Sequence, residues 1–223
     1  MDLVSVNVGL PRLYSWRGDT FKTSIFKTPV SGRVMLRTTN LDGDRQADLS
    51  VHGGPNKAVY GYPSENYQYW KEQLPGEDLP WGSFGENLTT EGLLETDISV
   101  GGRYRLGSAI VMATTPRLPC FKLAAKFRRD DMIERFLHGR RSGYYFSVIR
   151  EGEIGAGDEF EFLDGVTPTL TIAETYEAYT SLDPDLLKRA ASVTALPLSW
   201  RDRFQARLQA IQQAARDLKG TPR

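Results

Sequence analysis

The chain has 223 residues, 40% of them apolar and 25% charged, with 28 Lys+Arg balanced by 28 Asp+Glu. That size and composition fit one large or two smaller soluble globular units and exclude disordered, collagen-like and membrane-spanning classes. Zero formal charge excludes a whole-molecule field for nucleic acid or anionic lipid, so neither a nucleic-acid polymer nor a membrane is expected as a partner. An anionic ligand must therefore meet a local basic cluster. The start, Met1-Asp2-Leu3-Val4-Ser5, lacks a basic stretch followed by an apolar one, which gives a cytoplasmic expectation.

In chain order, Leu3 to Gly9 carries valines at 4, 6 and 8, the period-two pattern of a half-buried strand, and Lys22 to Thr28 and Arg33 to Thr39 read alike. Asn40-Leu41-Asp42-Gly43-Asp44-Arg45 is turn chemistry. Val51-His52-Gly53-Gly54-Pro55-Asn56-Lys57-Ala58-Val59-Tyr60 holds one of the two histidines, a glycine pair that permits close approach to backbone, and a lysine entering the next strand. Ser64 to Leu74 predicts a short helix with Ser64 as N-cap and Tyr67, Trp70 and Leu74 on one face, a lid or brace. Phe84-Gly85-Glu86-Asn87-Leu88 sets two hydrogen-bonding side chains beside a flexible residue and suits a polar pocket. Strands follow at Tyr104 to Leu106 and Ala109 to Thr114. A helical segment then runs through Phe127, Met132, Ile133 and Phe136 to a stop at Gly139. Strands resume at Gly143 to Ile149 and Glu159 to Leu163, with Gly155-Ala156-Gly157-Asp158 turning between them.

The fold-class expectation is mainly β: a barrel over residues 1–165 with short peripheral helices, then an all-α three-helix unit over 166–223. Thr171-Ile172-Ala173-Glu174 spells a capping box, Asp183-Pro184 caps a second helix, and Ser199-Trp200-Arg201-Asp202 opens a third. Trp200, Phe204, Leu208, Ile211, Ala215 and Leu218 form an apolar stripe on that last helix. It must pack on the other helices or on a second subunit, so a homodimer is allowed.

The chemistry centres on Thr115-Pro116-Arg117-Leu118-Pro119-Cys120-Phe121-Lys122, which carries the only cysteine. A single cysteine excludes an internal disulfide. Two prolines stiffen the loop, and Arg117 and Lys122 raise the local positive potential, favouring thiolate for attack or metal ligation. The alternative is a small buried hydrophobe. A zinc site is poorly served by Cys120, His52 and His138 alone, and His138 reads as a surface residue. A Cys120–His52 nucleophile pair lacks any peptidase signature. No phosphate loop or dinucleotide fingerprint occurs. A soft thiolate with Arg45, Lys57, Arg117 and Lys122 suits a phosphorylated, metal-bearing cofactor.

Leu41-Asp42-Gly43-Asp44, Val51 to Val59, Phe84-Gly85-Glu86-Asn87-Leu88 and Pro116-Arg117-Leu118-Pro119-Cys120-Phe121-Lys122, in that order, resemble the MOSC domain, named for the C-terminal domain of molybdenum cofactor sulfurase. With the helical tail after residue 165, the chain resembles its YiiM-like branch. The resemblance implies a β-barrel that binds molybdenum cofactor, with Cys120 as the protein's sulfur ligand to the metal, and reduction of N-hydroxylated compounds such as purine bases in detoxification. His52 is the candidate for proton delivery or substrate orientation, or else a brace for the Gly53-Gly54 loop. Arg45, Lys57, Arg117 and Lys122 are candidates for the pterin phosphate and ring, and Asn56, Glu86 and Asn87 for polar ring edges. With no flavin or nicotinamide fingerprint, a separate electron-donating reductase is expected. The alternatives are a non-catalytic carrier of molybdenum cofactor or of persulfide sulfur on Cys120, and a pyridoxal-phosphate binder through one of the lysines.

Overall fold

The computed structural model describes residues 1–47, 53–167 and 169–220. Its elements run β1 (Asp2–Val8), β2 (Arg12–Trp16), β3 (Asp19–Thr23), β4 (Thr28–Pro29), β5 (Val34–Leu36), a 3-10 turn (Pro55–Lys57), β6 (Val59–Pro63), α1 (Glu65–Gln73) and β7 (Leu88–Glu91). They continue with β8 (Arg103–Leu106), β9 (Ala109–Pro116), α2 (Phe121–Phe127), α3 (Met132–Gly139), β10 (Tyr144–Arg150), β11 (Gly152–Ile154), β12 (Phe160–Asp164), α4 (Ile172–Thr180), α5 (Pro184–Ser192) and α6 (Leu198–Gly220).

Eight strands form one sheet in the order β12-β8-β9-β10-β6-β7-β1-β4. Its pairs are antiparallel except β6 with β7, which are parallel and joined through α1. The mainly β class with a helical tail is as expected, but the ladder does not run unbroken around a barrel. Instead, β1 meets the segment before β12 through one bridge, Asp2 to Glu159, helped by Leu3 N donating to Asp158 O and Phe160 N to Met1 O. No helix among the described residues is long and apolar enough to cross a membrane.

The core has two parts. One lies inside the sheet, around Leu3, Leu88, Val111, Phe146 and Phe160, and continues without a break into Ile172, Leu187 and Phe204 of the last three helices. The other is aromatic and lies between β6 and helices α1 to α3: Trp70 stacks on Phe136 at 5.9 Å and Tyr62 on Phe84 at 4.9 Å. β6 serves both, since alternate side chains face opposite ways and all five of its residues are buried. Gly61 within it is required by close approach: a Cβ there would lie 2.5 Å from the Tyr144 ring.

Local rules explain most boundaries and correct several expectations. The Lys22–Thr28 strand breaks after Thr23, whose hydroxyl takes the Ile25 N–H and diverts the chain from the ladder. Ahead of it, β2 and β3 pair as a hairpin around Arg17-Gly18, both with positive φ, the twist that a two-residue hairpin turn demands. Ser64 starts α1 but makes no capping bond; its own φ and ψ are already helical and its N–H is held by Thr90 O. α1 is a buried core brace rather than a lid, with Tyr67, Trp70 and Leu74 inside. The helix expected to end at Gly139 is two helices, split where Arg128 adopts a left-handed conformation, and Arg140, not Gly139, makes the left-handed stop.

The Thr171–Glu174 capping box is complete: Thr171 Oγ1 accepts from Glu174 N at 3.1 Å and Glu174 Oε2 from Thr171 N at 2.9 Å. Thr171→Ala is expected to cost about 1 kcal/mol and to lower Tm by roughly 2–4 °C in a scanning-calorimetry comparison. Asp183 caps α5 through Asp185 N. Along α6, Phe204 and Leu208 are buried and Trp200 and Ile211 half-buried, whereas Ala215 is exposed. The stripe therefore packs over its first half only, and the side chain of Leu218 lies outside those described.

Candidate active site

β9 delivers the cysteine. The strand ends at Pro116, residues 117–120 make the loop, and Cys120 stands at the last position before α2, half-buried and in extended backbone (φ −129°, ψ 168°). Leu123, Ala124 and Phe127 form the apolar face that seats α2 on the aromatic core, so the loop is anchored at both ends.

The thiol lines a cleft with about 700 Å³ of empty space, counted to its open mouth. Lys27, Lys57, Arg117 and Lys122 line it as well, and among the described residues Asp44 is the one carboxylate on it. Arg117 is 6% exposed, lies over the Tyr60 ring at 4.7 Å and donates to the Phe84 carbonyl. A guanidinium keeps its proton in proteins, so Arg117 places a fixed positive charge on the cleft that the thiol lines. Lys122 is 9% exposed on the first turn of α2, and Lys57 leans over the Tyr145 ring at 5.9 Å. Ser24 Oγ, also on the wall, is buried without a hydrogen-bond partner among the described residues, an orphan that a ligand atom would satisfy. Gly85, with φ +80°, lets the wall pass Ile25, which a Cβ would meet at 2.8 Å.

Asp44 and Lys27 form a buried ion pair at the cleft floor, their side chains 2% and 8% exposed. The Asp44 carboxylate also accepts from Gly9 N at 2.7 Å and Asn87 Nδ2 at 3.0 Å. Burial pushes the Lys27 pKa down, and Asp44 opposes that shift.

Behind the wall, Lys126 donates to Ile25 O at 3.1 Å and Gly82 O at 2.7 Å. Burial pushes its pKa down to about 7, with Glu86 pulling the other way. Between that value and the unfolded lysine's 10.5 the unfolded chain binds the extra proton, so this group makes stability rise with pH. Urea unfolding of the wild type should show a positive slope between pH 7 and 9, at most about 1.4 kcal/mol per unit for this one group. Lys126→Met should flatten it; an unchanged slope would mean that Lys126 is not its source.

Of the sequence candidates, the fold brings Cys120, Lys57, Arg117, Lys122 and Asn87 onto one cleft. Asn87, however, spends its amide on Asn7 O, Asp44 and Tyr60 N, so its polar edge faces the protein. Glu86 does not line the cleft. Its carboxylate, 0% exposed, takes Gly82 N, Phe84 N and the Tyr67 hydroxyl, and so holds the turn. Arg45 is exposed on a different surface with Leu10 and Lys22, and Asn56 is exposed on the 3-10 turn, its carbonyl accepting from Thr114. His52 lies outside the described residues. His138 is on the surface, 3.9 Å from Glu134. No group of three or more potential ligands drawn from His, Cys, Asp and Glu gathers among the described residues. Sequence reasoning missed Lys27, Ser24, Tyr60 and Tyr145. A lysine between Phe26 and Thr28 looks like the solvent side of a strand, and only the second aspartate of Asp42-Gly43-Asp44 hinted at a partner.

Residues 48–161 match the MOSC domain family model, and residues 179–210 match the model of the YiiM-like, 3-alpha helix domain. The chain is 37% identical over 204 residues to the Bacillus subtilis (strain 168) "Uncharacterized protein YflK", covering 91% of this chain and 92% of that protein. It is 30% identical over 185 residues to a Gibberella moniliformis (strain M3125 / FGSC 7600) protein named "Reductase", covering 82% of this chain and 33% of that protein. The crystal structure of YiiM from Geobacillus stearothermophilus superposes with a TM-score of 0.77 at 34% identity, over 93% of this chain and 98% of that one. The chain belongs to the MOSC domain family, in its YiiM-like branch with a C-terminal 3-alpha helix domain.

Proposed function

We propose that the chain is an oxidoreductase that binds molybdenum cofactor in the cleft beside Cys120 and reduces N-hydroxylated compounds. The observation that carries this is the half-buried thiol on a cleft that, among the described residues, has four cationic side chains, one carboxylate and an unpartnered hydroxyl. That donor set fits the group. The thiolate is a soft ligand for a soft metal centre, and lysine and arginine suit a phosphate. The reductase name of one relative supports the reaction class.

Within this reading Cys120 is the protein's ligand, held by a loop stiffened at Pro116 and Pro119. Lys57 and Lys122 have flexible stems and line the cleft, so they supply the adjustable contacts to the phosphate. Arg117 is already committed to Phe84 O and Tyr60, so it contributes charge from a fixed place rather than a two-pronged grip. Ser24 Oγ offers a hydrogen bond to a polar ring edge, the role that Asn87 and Glu86 cannot fill. The Lys27–Asp44 pair keeps the floor charged yet internally compensated. When bound, the cofactor supplies the two-electron exchange by which an N–OH group and two protons become N–H and water. The electrons come from a separate reductase protein.

Turnover tests this. Purified protein from a host replete in the cofactor, given an artificial electron donor, should convert an N-hydroxylated base to the parent base with one water per two electrons. A non-catalytic carrier of cofactor or persulfide would leave that substrate untouched while transferring its cargo to an acceptor enzyme, and that outcome would displace the reductase reading.

A further inference from the structure

The β2–β3 hairpin forms a two-stranded sheet of its own, outside the eight-stranded one. Strand alternation gives it two faces. Tyr14 and Phe21, opposite each other in register, turn inward: Tyr14 packs on Phe26 at 4.8 Å, and Phe21 meets Phe121, the residue after Cys120, at 4.8 Å. Leu13 and Lys22, the next pair, turn outward, with Leu13 74% exposed. Beside this outer face Leu10, Pro11, Lys22 and Arg45 line a groove together with Asp44. Asp44 lines the Cys120 cleft too, so the two cavities share a wall residue. We propose that the outer hairpin face is where the electron donor docks, and that this donor is an electron-carrying protein whose redox group is ringed by aspartate and glutamate. The inference rests on the proposed reaction at Cys120 and adds where its electrons enter and what kind of partner brings them.

A lone two-stranded hairpin is marginal in water, yet this one is fixed from below. The Arg12 guanidinium lies 3.8 Å from the centre of the Phe26 ring, and Arg17 pairs with Asp130 in the turn between α2 and α3. The inner face is therefore occupied, and the outer face presents Leu13 and Leu10, 62% exposed, that the fold does not use. Charge then selects the partner. The chain as a whole is neutral, but within residues 12–23 Arg12, Arg17 and Lys22 stand against Asp19. Lys22 and Arg45 enter no ion pair among the described residues. An apolar centre with a cationic rim suits a protein surface of opposite charge, which steers the encounter and favours quick release. Electron-transfer encounters sit at the small end of interface sizes, so one hairpin face and its groove suffice. Two one-electron carriers arriving in turn leave oxidised, and their two electrons with two protons from water convert one N–OH to N–H and one water.

Two measurements test this, one of them independent of turnover. The probes are a plant-type two-iron ferredoxin and a flavodoxin, both acidic proteins. Titration calorimetry at low ionic strength should show at least one of them binding the wild type, weakened roughly tenfold in Lys22→Glu, the lower end of what charge steering contributes. Leu13→Ser should weaken it as well, and Lys188→Glu, an exposed position on α5, should leave it unchanged. Added salt should loosen the wild-type complex more than that of Lys22→Glu. In the reductase assay, Lys22→Glu should raise KM for the carrier protein with kcat kept. Reduced methyl viologen, which needs no docking face, should drive every variant at the wild-type rate. Failure of both probes to bind the wild type, or equal binding in all variants, would overturn the docking face. So would Lys22-dependent binding to phosphatidylserine vesicles with no binding to either protein, which would make the face a membrane contact. Hairpin-dependent binding with no viologen-driven reduction of any N-hydroxylated compound would keep the face and overturn the reaction; viologen-driven reduction, with carrier-driven turnover indifferent to Lys22 and Leu13, would do the reverse.

Discussion

Cys120→Ala is expected to lose metal and turnover together while remaining folded. Activity should fall by more than roughly 100-fold, since changing even an outer partner of a metal ligand costs 10- to 100-fold. Stability should change by about 1 kcal/mol or less: the side chain is half-buried, α2 draws no capping bond from it, and the loop is fixed by Pro116, Pro119 and the Leu123–Phe127 face. Elemental analysis and pterin-oxidation fluorescence on wild type and variant, with a thermal melt of each, separate the readings. Metal and pterin in the wild type alone support ligation. Full metal content and activity in the variant would sink it, and a large drop in Tm with the activity would return Cys120 to the core.

Asp44→Ala should be among the most destabilising single changes. Its carboxylate satisfies Gly9 N–H, the Asn87 amide and the Lys27 ammonium at once, in a site where the aspartate side chain is 2% exposed. Breaking a buried pair from one side costs about 3–5 kcal/mol, because the surviving charge stays buried. At roughly 2–4 °C per kcal/mol for a chain of this size, Tm should fall by on the order of 10 °C. Burial already pushes Lys27 down and Asp44 is the largest influence opposing it. Without Asp44 the ammonium is pushed down further, so the loss should ease as pH rises and Lys27 sheds its proton. Adding Lys27→Met to Asp44→Ala should recover much of the stability by removing the stranded charge. Denaturant titrations of the two singles and the double supply the cycle. An Asp44→Ala cost below about 1 kcal/mol would mean that water reaches the pair as it does at a surface.

What the sequence made legible was periodic or carried by local chemistry. The β1 strand, the Tyr67–Trp70–Leu74 face, the Thr171 capping box and the Asp183-Pro184 cap depend on near neighbours and stand where expected, although β1 buries Leu3, Ser5 and Asn7 while Val4 and Val8 stay half-buried. So does the thiol loop, because the apolar strand and its two prolines fix it locally. What escaped depends on distant partners. Lys27 and Asp44 are 17 residues apart, and nothing near either says that they meet. Glu86 and Asn87 are polar residues in a suggestive motif, yet the fold supplies enough backbone N–H groups and other partners to consume both. Of α2 only the end at Phe127 was legible, and the break at Arg128 was not: Leu123, Ala124 and Phe127 have helical spacing, but seven residues give little periodicity. The contribution of α6 to the thiol's surroundings is visible only when residue 200 is brought beside residue 120.

The seam between β1 and the segment before β12 has a kinetic consequence. Met1, Asp2 and Leu3 find partners at Asp158, Glu159 and Phe160, more than 150 residues further along the chain, so these bonds close only after that stretch has been made. Hairpins such as β8–β9 form from near neighbours, while the join belongs to the late, slow class of long-range pairings. During synthesis β1 can pair with β4 and β7, but its edge at Met1–Leu3 stays open until Phe160 arrives, the form in which strands recruit other chains. The stretch that closes the native sheet is thus the one left open before release from the ribosome, and chains broken off short of Glu159 should collect in aggregates rather than as stable fragments.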